Sequence, residues 1–208
     1  MRRLTLPQAV ERARVLVESA PGRVILGITG KPGAGKSTLT THLVAGVPES
    51  VAVGMDAFHL AHSTLAAQGE VERKGAVHTF DGEGYVALLR RIRHGEPGPI
   101  WAPEFRRDIE DAVAGAVAVR PEHRLVVTEG NYLLLPERPW SAVRELCDEI
   151  WYVDVPESRR LDWLIARHML FGRDEAEARE RATTGSDAVN AELIGTTALL
   201  ADAWVSGK

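Results

Sequence analysis

The run Gly30-Lys31-Pro32-Gly33-Ala34-Gly35-Lys36-Ser37-Thr38 constrains this chain more than any other stretch. It fits G-x-x-x-x-G-K-[ST], a loop that must follow a strand and open a helix. Both flanks comply. Val24–Thr29 is apolar and β-branched, as a buried strand requires, and Leu39 and Leu43 lie one helical turn apart. Glycines let the backbone curl so that successive N–H groups point inward, and the helix adds its positive N-terminal end. Such a cradle suits phosphate oxygens. The Lys36 ammonium can reach β- and γ-phosphates, and the Ser37 hydroxyl can ligate Mg²⁺. Gly30 to Thr38 therefore predict a nucleoside-triphosphate site.

At 208 residues the chain suits one α/β domain with a sizeable core. A net charge of −4 gives no reason to expect nucleic acid or an anionic membrane as partner. Met1-Arg2-Arg3 is faintly like a signal peptide, but Pro7, Glu11, Arg12 and Arg14 interrupt the apolar run that would follow. The segment reads instead as an amphipathic helix capped at Thr5, with Gln8 three residues on. No apolar run approaches membrane length. The single cysteine, Cys147, precludes an internal disulfide, fits a cytoplasmic protein and reads as core filler. A homodimer is allowed by these features, not indicated by them.

Buried-strand patterns fall at Val24–Thr29, Val51–Met55, Leu125–Thr128 and Ile150–Val153, with a weaker one near Ala203–Val205. Helical patterns lie around Leu39–Val44, Tyr85–Ile92, Trp140–Leu146 and Arg159–Phe171. This alternation predicts an α/β fold: a parallel sheet of about five strands with helices on both faces. The link from Asp56 to Arg124 is far longer than an ordinary connection in such a fold. Its polar and aromatic residues, among them His59, His78, Asp81, Trp101, Phe105, Arg106 and Arg107, suit a second substrate.

Three carboxylates end predicted strands: Asp56, Glu129 and Asp154. In a parallel sheet they would converge on the crevice beside the phosphate loop. Phosphoryl transfer needs acids to hold Mg²⁺ and to accept a proton from the attacking hydroxyl. Asp56 and Glu129 lead into loops containing aromatic or glycine residues, which favours function. Asp154 is balanced between function and a helix cap. Arg160 and Arg167 lie two helical turns apart and share a face, while Arg173 follows Gly172 in a loop. They suit either a charge-neutralising lid or a solvated helix face. His59 and His78 are balanced between acceptor contacts and structural roles, and no histidine spacing fits a structural zinc site.

These residues resemble the uridine kinase, pantothenate kinase and phosphoribulokinase group of P-loop kinases, from Val24 to about Val205. The resemblance rests on the phosphate loop, Asp56-Ala57-Phe58-His59, Arg73 to Asp81, Glu129 to Leu135, and Gly172-Arg173-Asp174. His78-Thr79-Phe80-Asp81 and Glu129-Gly130-Asn131-Tyr132 look most like the bacterial branch labelled fructose transport system kinase. The resemblance implies one kinase domain over 1–208, using ATP and Mg²⁺, with an acceptor insert at 57–124 and a lid region at 156–185. It implies Asp56 as catalytic base, Glu129 and Ser37 at the metal, and Lys36, Arg160, Arg167 and Arg173 on the transferring phosphate. Acceptor contacts would come from His59, His78, Asp81, Phe105, Arg106 and Tyr132, with Asn190 near the adenine. The acceptor would be a small hydroxyl compound such as a sugar, a nucleoside or a pantothenate-like alcohol. True uridine kinases carry Asn-Phe-Asp-His-Pro where this chain has Lys74 to Asp81, which removes support for uridine.

Two rivals differ in class. A regulatory GTPase needs Asn-Lys-x-Asp, which does not occur, and the D-x-x-G match at Asp81–Gly84 follows no predicted strand. A nucleotide-gated ATPase without an acceptor conflicts with the long insert and the arginine segment, both of which suit a second substrate.

Overall fold

The computed structural model describes residues 2–207; Met1, part of the N-terminal pattern above, lies outside them. The strands in chain order are β1 (Arg2–Leu4), β2 (Val24–Thr29), β3 (Ser50–Gly54), β4 (Ile100–Arg106), β5 (Asp111–Val119), β6 (Leu125–Glu129), β7 (Glu149–Asp154) and β8 (Ala203–Ser206). Six form one all-parallel sheet in the order β1-β8-β7-β2-β6-β3. The strand beyond the expected five is β1, three residues with two arginines, too short to leave a pattern. β4 and β5 form a separate antiparallel hairpin.

The helices are α1 (Leu6–Ser19), α2 (Lys36–Gly46), α3 (His62–Gln68), α4 (Gly82–His94), α5 (Ser141–Leu146), α6 (Glu157–Leu170), α7 (Glu175–Thr183) and α8 (Ser186–Thr196). The Thr5 N–H donates to Gln8 Oε1 at 2.9 Å and fixes the start of α1, as the sequence pattern expects. None of the helices described is long and apolar enough to cross a membrane.

Alternation along the central strands divides the core in two. Leu26, Ile28, Val127 and Trp151 pack with Ala9 and Ala13 of α1 and with Leu39 and Leu43 of α2. Ile25, Val126, Ile150 and Tyr152 face the other way, onto Tyr85, Leu89 and Ile92 of α4 and Val143 of α5. Both sides of each strand are therefore apolar, the condition that makes parallel strands read as unbroken hydrophobic runs. The phosphate loop leaves the middle of this sheet, from β2. Its flanking strands, β6 and β7, end on the same edge, so their following loops border the same crevice.

Candidate active site

The loop from Gly30 to Gly35 takes the shape its glycines permit. Gly33 has φ +82° and Gly35 φ +92°, both in the left-handed region. A Cβ on Gly33 would sit 2.9 Å from Arg160 O and 2.9 Å from Leu164 Cβ, so α6 packs directly on the loop. Lys36 Nζ lies half-buried beneath it and donates to Gly30 O at 2.8 Å and Lys31 O at 3.2 Å. Burial holds the Lys36 ammonium down to about 8, against the opposing pull of Glu129 and Asp56.

Asp56 lies in the 3₁₀ turn Met55–Phe58 that follows β3, and Glu129 closes β6. Both line one cavity of about 490 Å³ with Lys36, Ser37 and Thr38. Ser37 Oγ donates to Glu129 Oε1 at 2.9 Å, while Glu129 Oε2 is buried with no hydrogen-bond partner. Burial, then the nearby Asp56 charge, raises the Glu129 carboxyl above its usual range. A hydroxyl beside an orphaned, desolvated carboxylate oxygen is a donor set that fits Mg²⁺. Asp154 departs from its companions. Its carboxylate pairs with Arg3 at 3.0 Å on the β1 side and is not among the cavity residues, so the three acids do not converge.

The arginines separate more sharply. Arg167 of α6 lines the cavity. Arg160 is only 2% exposed: Nη1 donates to Pro32 O at 2.8 Å, and its other donors meet Glu157. The two share a helix face, as spacing predicts, but seven residues also separate them by roughly 10 Å along the axis. Arg160 thus braces the phosphate loop instead of facing the cavity. Arg173, in the turn between α6 and α7, is exposed and does not line the cavity. Arg106 bonds Asp108 at 3.1 Å on the surface, and its neighbour Arg107 faces the cavity in its place. Arg106 is the last residue of β4 and Arg107 the first of the turn after it, a boundary that two adjacent arginines do not mark in the sequence.

Among the expected acceptor contacts, His59 lines the cavity, its ring 3.9 Å from that of Phe80, and Phe105 lies 5.3 Å beyond. Phe105 borders an adjoining cavity that shares Ser37, Asp56, Arg107 and Glu129. His78 instead pairs with Glu70 at 3.1 Å in an exposed position. Tyr132 is fully buried and donates to Gly75 O at 2.5 Å, so it supports the insert without lining the cavity. Asp81 is the N-cap of α4, accepting from Gly84 N at 2.8 Å, and is also absent from the lining. In all three, a partner from the insert absorbs the polar group.

Asp81→Ala is accordingly predicted to remove a cap worth roughly 0.5–2 kcal/mol and lower the melting temperature, with acceptor KM unchanged. A raised acceptor KM without a stability loss would restore Asp81 to the site.

Asn190, expected near the adenine, is tied to the insert. Its Nδ2 donates to Gly75 O at 3.0 Å, and with Asp187 it lines the insert end of the main cavity. A flat apolar ring finds better surroundings in a cavity of about 260 Å³ bordered by Leu6, Leu39, Val153, Trp163 and Val205. Gly35, Thr38 and Trp163 line both spaces, which places this one beside the phosphate loop. Trp163 precedes Arg167 by one turn, a spacing that could have revealed it. Cys147 takes no part: it is buried, and burial pushes its thiol up to about 12.

The Lys36 environment gives a pH prediction. The folded free protein holds this ammonium lower than an unfolded lysine does, so its charge is lost as pH rises through about 8. A phosphate chain binds the charged form, so ATP affinity should be flat below that point. Above it, affinity should fall by up to about tenfold per pH unit, as the loss of one proton requires. Calorimetric titration from pH 6.5 to 9.5 measures this, and a flat profile would refute it.

Phosphate loop, carboxylates and cavity cation on the edge of a parallel sheet define a P-loop kinase, a phosphotransferase with an alcohol group as acceptor. No protein-family model matches the sequence. An ATP-dependent kinase-like protein of Aspergillus versicolor is 35% identical over 74% of this chain and 94% of its own length. A Schizosaccharomyces pombe protein named for uridine kinase is 33% identical over 83% of this chain and 78% of its own. A solved structure from Silicibacter sp. TM1040, named for a fructose transport system kinase, superposes with a TM-score of 0.84 at 33% identity, covering 94% of this chain and 98% of that one. The chain belongs to the uridine kinase, pantothenate kinase and phosphoribulokinase group of P-loop kinases, and it acts as an ATP-dependent small-molecule kinase.

Proposed function

We propose that the chain works as one kinase unit that moves the γ-phosphoryl group of ATP to a hydroxyl of a small polar acceptor, a sugar-like or pantothenate-like alcohol, held by the 57–124 insert. One observation carries this reading. Asp56, Lys36, Ser37 and Glu129 share a single cavity with His59, Gly75, Phe80 and Arg107 of the insert. Asp56 accepts the proton as the acceptor oxygen bonds to phosphorus and the bond from phosphorus to the ADP oxygen breaks. Lys36 sits under the phosphates, while Ser37 and Glu129 would hold Mg²⁺, which when bound neutralises charge on the phosphate oxygens. Trp163 and its apolar neighbours provide for the base. A cytoplasmic location belongs to this proposal; no homodimer is required by it.

The decisive experiment is an acceptor screen with purified protein, following ADP release and weighing the product by mass spectrometry. One acceptor class should raise ADP release far above the basal rate and gain the mass of one phosphoryl group. Slow release indifferent to every acceptor would favour a nucleotide-gated ATPase.

A further inference from the structure

We propose that Arg107, in the turn that joins β4 to β5, supplies a further cation on the phosphoryl group in transfer, opposite Arg167. This rests on the kinase reading above and adds a catalytic residue that the phosphate-loop and lid patterns do not contain.

The argument begins with unused donors. A guanidinium carries five N–H groups. Arg160 spends its own on Pro32 O and Glu157, and Arg106 on Asp108. Among the described residues, Arg107 and Arg167 make no side-chain hydrogen bond within the protein, although both line the main cavity. The carboxylate paired with Arg107, Asp56 Oδ2, stands 3.8 Å away, beyond hydrogen-bond distance. What holds Arg107 is aromatic: its guanidinium lies 5.9 Å from the Phe105 ring and 5.7 Å from the Phe171 ring. Such contacts fix a cation without occupying its donors.

Like charges then face one space. Burial lowers the Arg167 guanidinium from its ordinary range, and the neighbouring Arg107 charge adds to that. An anion between them removes the repulsion and fills the donors. A phosphoryl group in transfer spreads charge over three equatorial oxygens beside Lys36 and Asp56, and it meets that description. Phe171 follows Arg167 by one helical turn, so its contact with Arg107 also ties the hairpin to the helix bearing the opposite cation. The spacing of the two charges thereby depends on the element proposed to hold the acceptor. A cation delivered in this way is complete only when the hairpin is seated, which limits transfer to water.

Calorimetry of Mg·ADP with and without aluminium fluoride, a mimic of the transferring group, tests the assignment. Arg107→Met keeps the apolar stem and removes the charge. Mg·ADP affinity should stay within about threefold of wild type, while the extra affinity conferred by fluoride should fall roughly 100–1,000-fold, the scale of one lost oxyanion contact. Arg106→Met should keep the whole increment. With the acceptor from the screen, kcat of Arg107→Met should fall about 10³-fold with ATP KM little changed. Retention of the fluoride increment by Arg107→Met overturns the proposal. So does a raised acceptor KM at unchanged kcat, which would make Arg107 an acceptor contact. If wild type itself gains nothing from fluoride, the phosphoryl-transfer reading fails first and takes this one with it.

Discussion

Lys36→Ala should lower turnover by roughly 10²–10⁴-fold while leaving the fold in place. The ammonium lies half-buried beneath the phosphate loop and lines the same cavity as Glu129 and Asp56. Positive charge fixed there in advance stabilises charge as it develops, and one such contact is worth roughly 10²–10³ in rate. The larger end of the range follows because Lys36 also donates to Gly30 O and Lys31 O, so its loss slackens the loop as well. Stability should change little. The loop keeps its glycine conformations and the Arg160 bond to Pro32 O, and no core side chain is lost. Lys36→Arg should not restore activity, because a planar fork cannot replace a compact point charge in a fitted site. Steady-state kinetics in the acceptor assay, with melting curves of both variants, measure these outcomes. Equal turnover and equal ATP affinity in Lys36→Ala would remove the loop from the mechanism.

The loop was readable because its chemistry fixes residue types at fixed spacings, and a buried strand before it fixes the context. β2, β6 and β7 were readable for a related reason: both faces are covered, so nearly every position is apolar. The β4–β5 hairpin was not. Asp111–Val119 is mostly alanine and valine with four consecutive exposed residues in its middle, so it leaves no alternation to detect. α7 was equally silent, since it buries only Ala178 and Ala182 on a charged helix. Within the site, residues anchored by the phosphate loop were legible, as Lys36, Ser37 and Glu129 show. Those that depend on local partners were misread. Asp81 accepts from Gly84 N three residues on, and His78 pairs with Glu70 eight residues back, and neither lines the cavity. Arg106 ends β4 and Arg107 begins the turn beyond it. Sequence records both arginines and not where the strand stops.

Asp56→Asn and Glu129→Gln should separate the two acids although they share a cavity. Asp56 stands in the turn after β3 with the insert before it, whereas Glu129 touches the Ser37 hydroxyl and leaves Oε2 unpartnered. An amide at position 56 cannot accept the acceptor's proton, so kcat should fall at least about 100-fold with Mg·ATP affinity retained. More Mg²⁺ should not help, because the missing function is proton acceptance. Glu129→Gln keeps a carbonyl oxygen near Ser37 but loses the charge that favours a divalent cation, so its defect should ease as Mg²⁺ is raised. The pair is also coupled. Burial and the Asp56 charge both raise the Glu129 carboxyl, and removing that charge lets it ionise at lower pH. A metal binds the ionised form, so Mg²⁺ dependence in Asp56→Asn should shift toward lower pH than in wild type. Magnesium titrations of both variants at several pH values decide the matter. Identical Mg²⁺ dependence in the two would abolish the division of roles, and an Asp56→Asn rate within about tenfold of wild type would deny Asp56 the part of base.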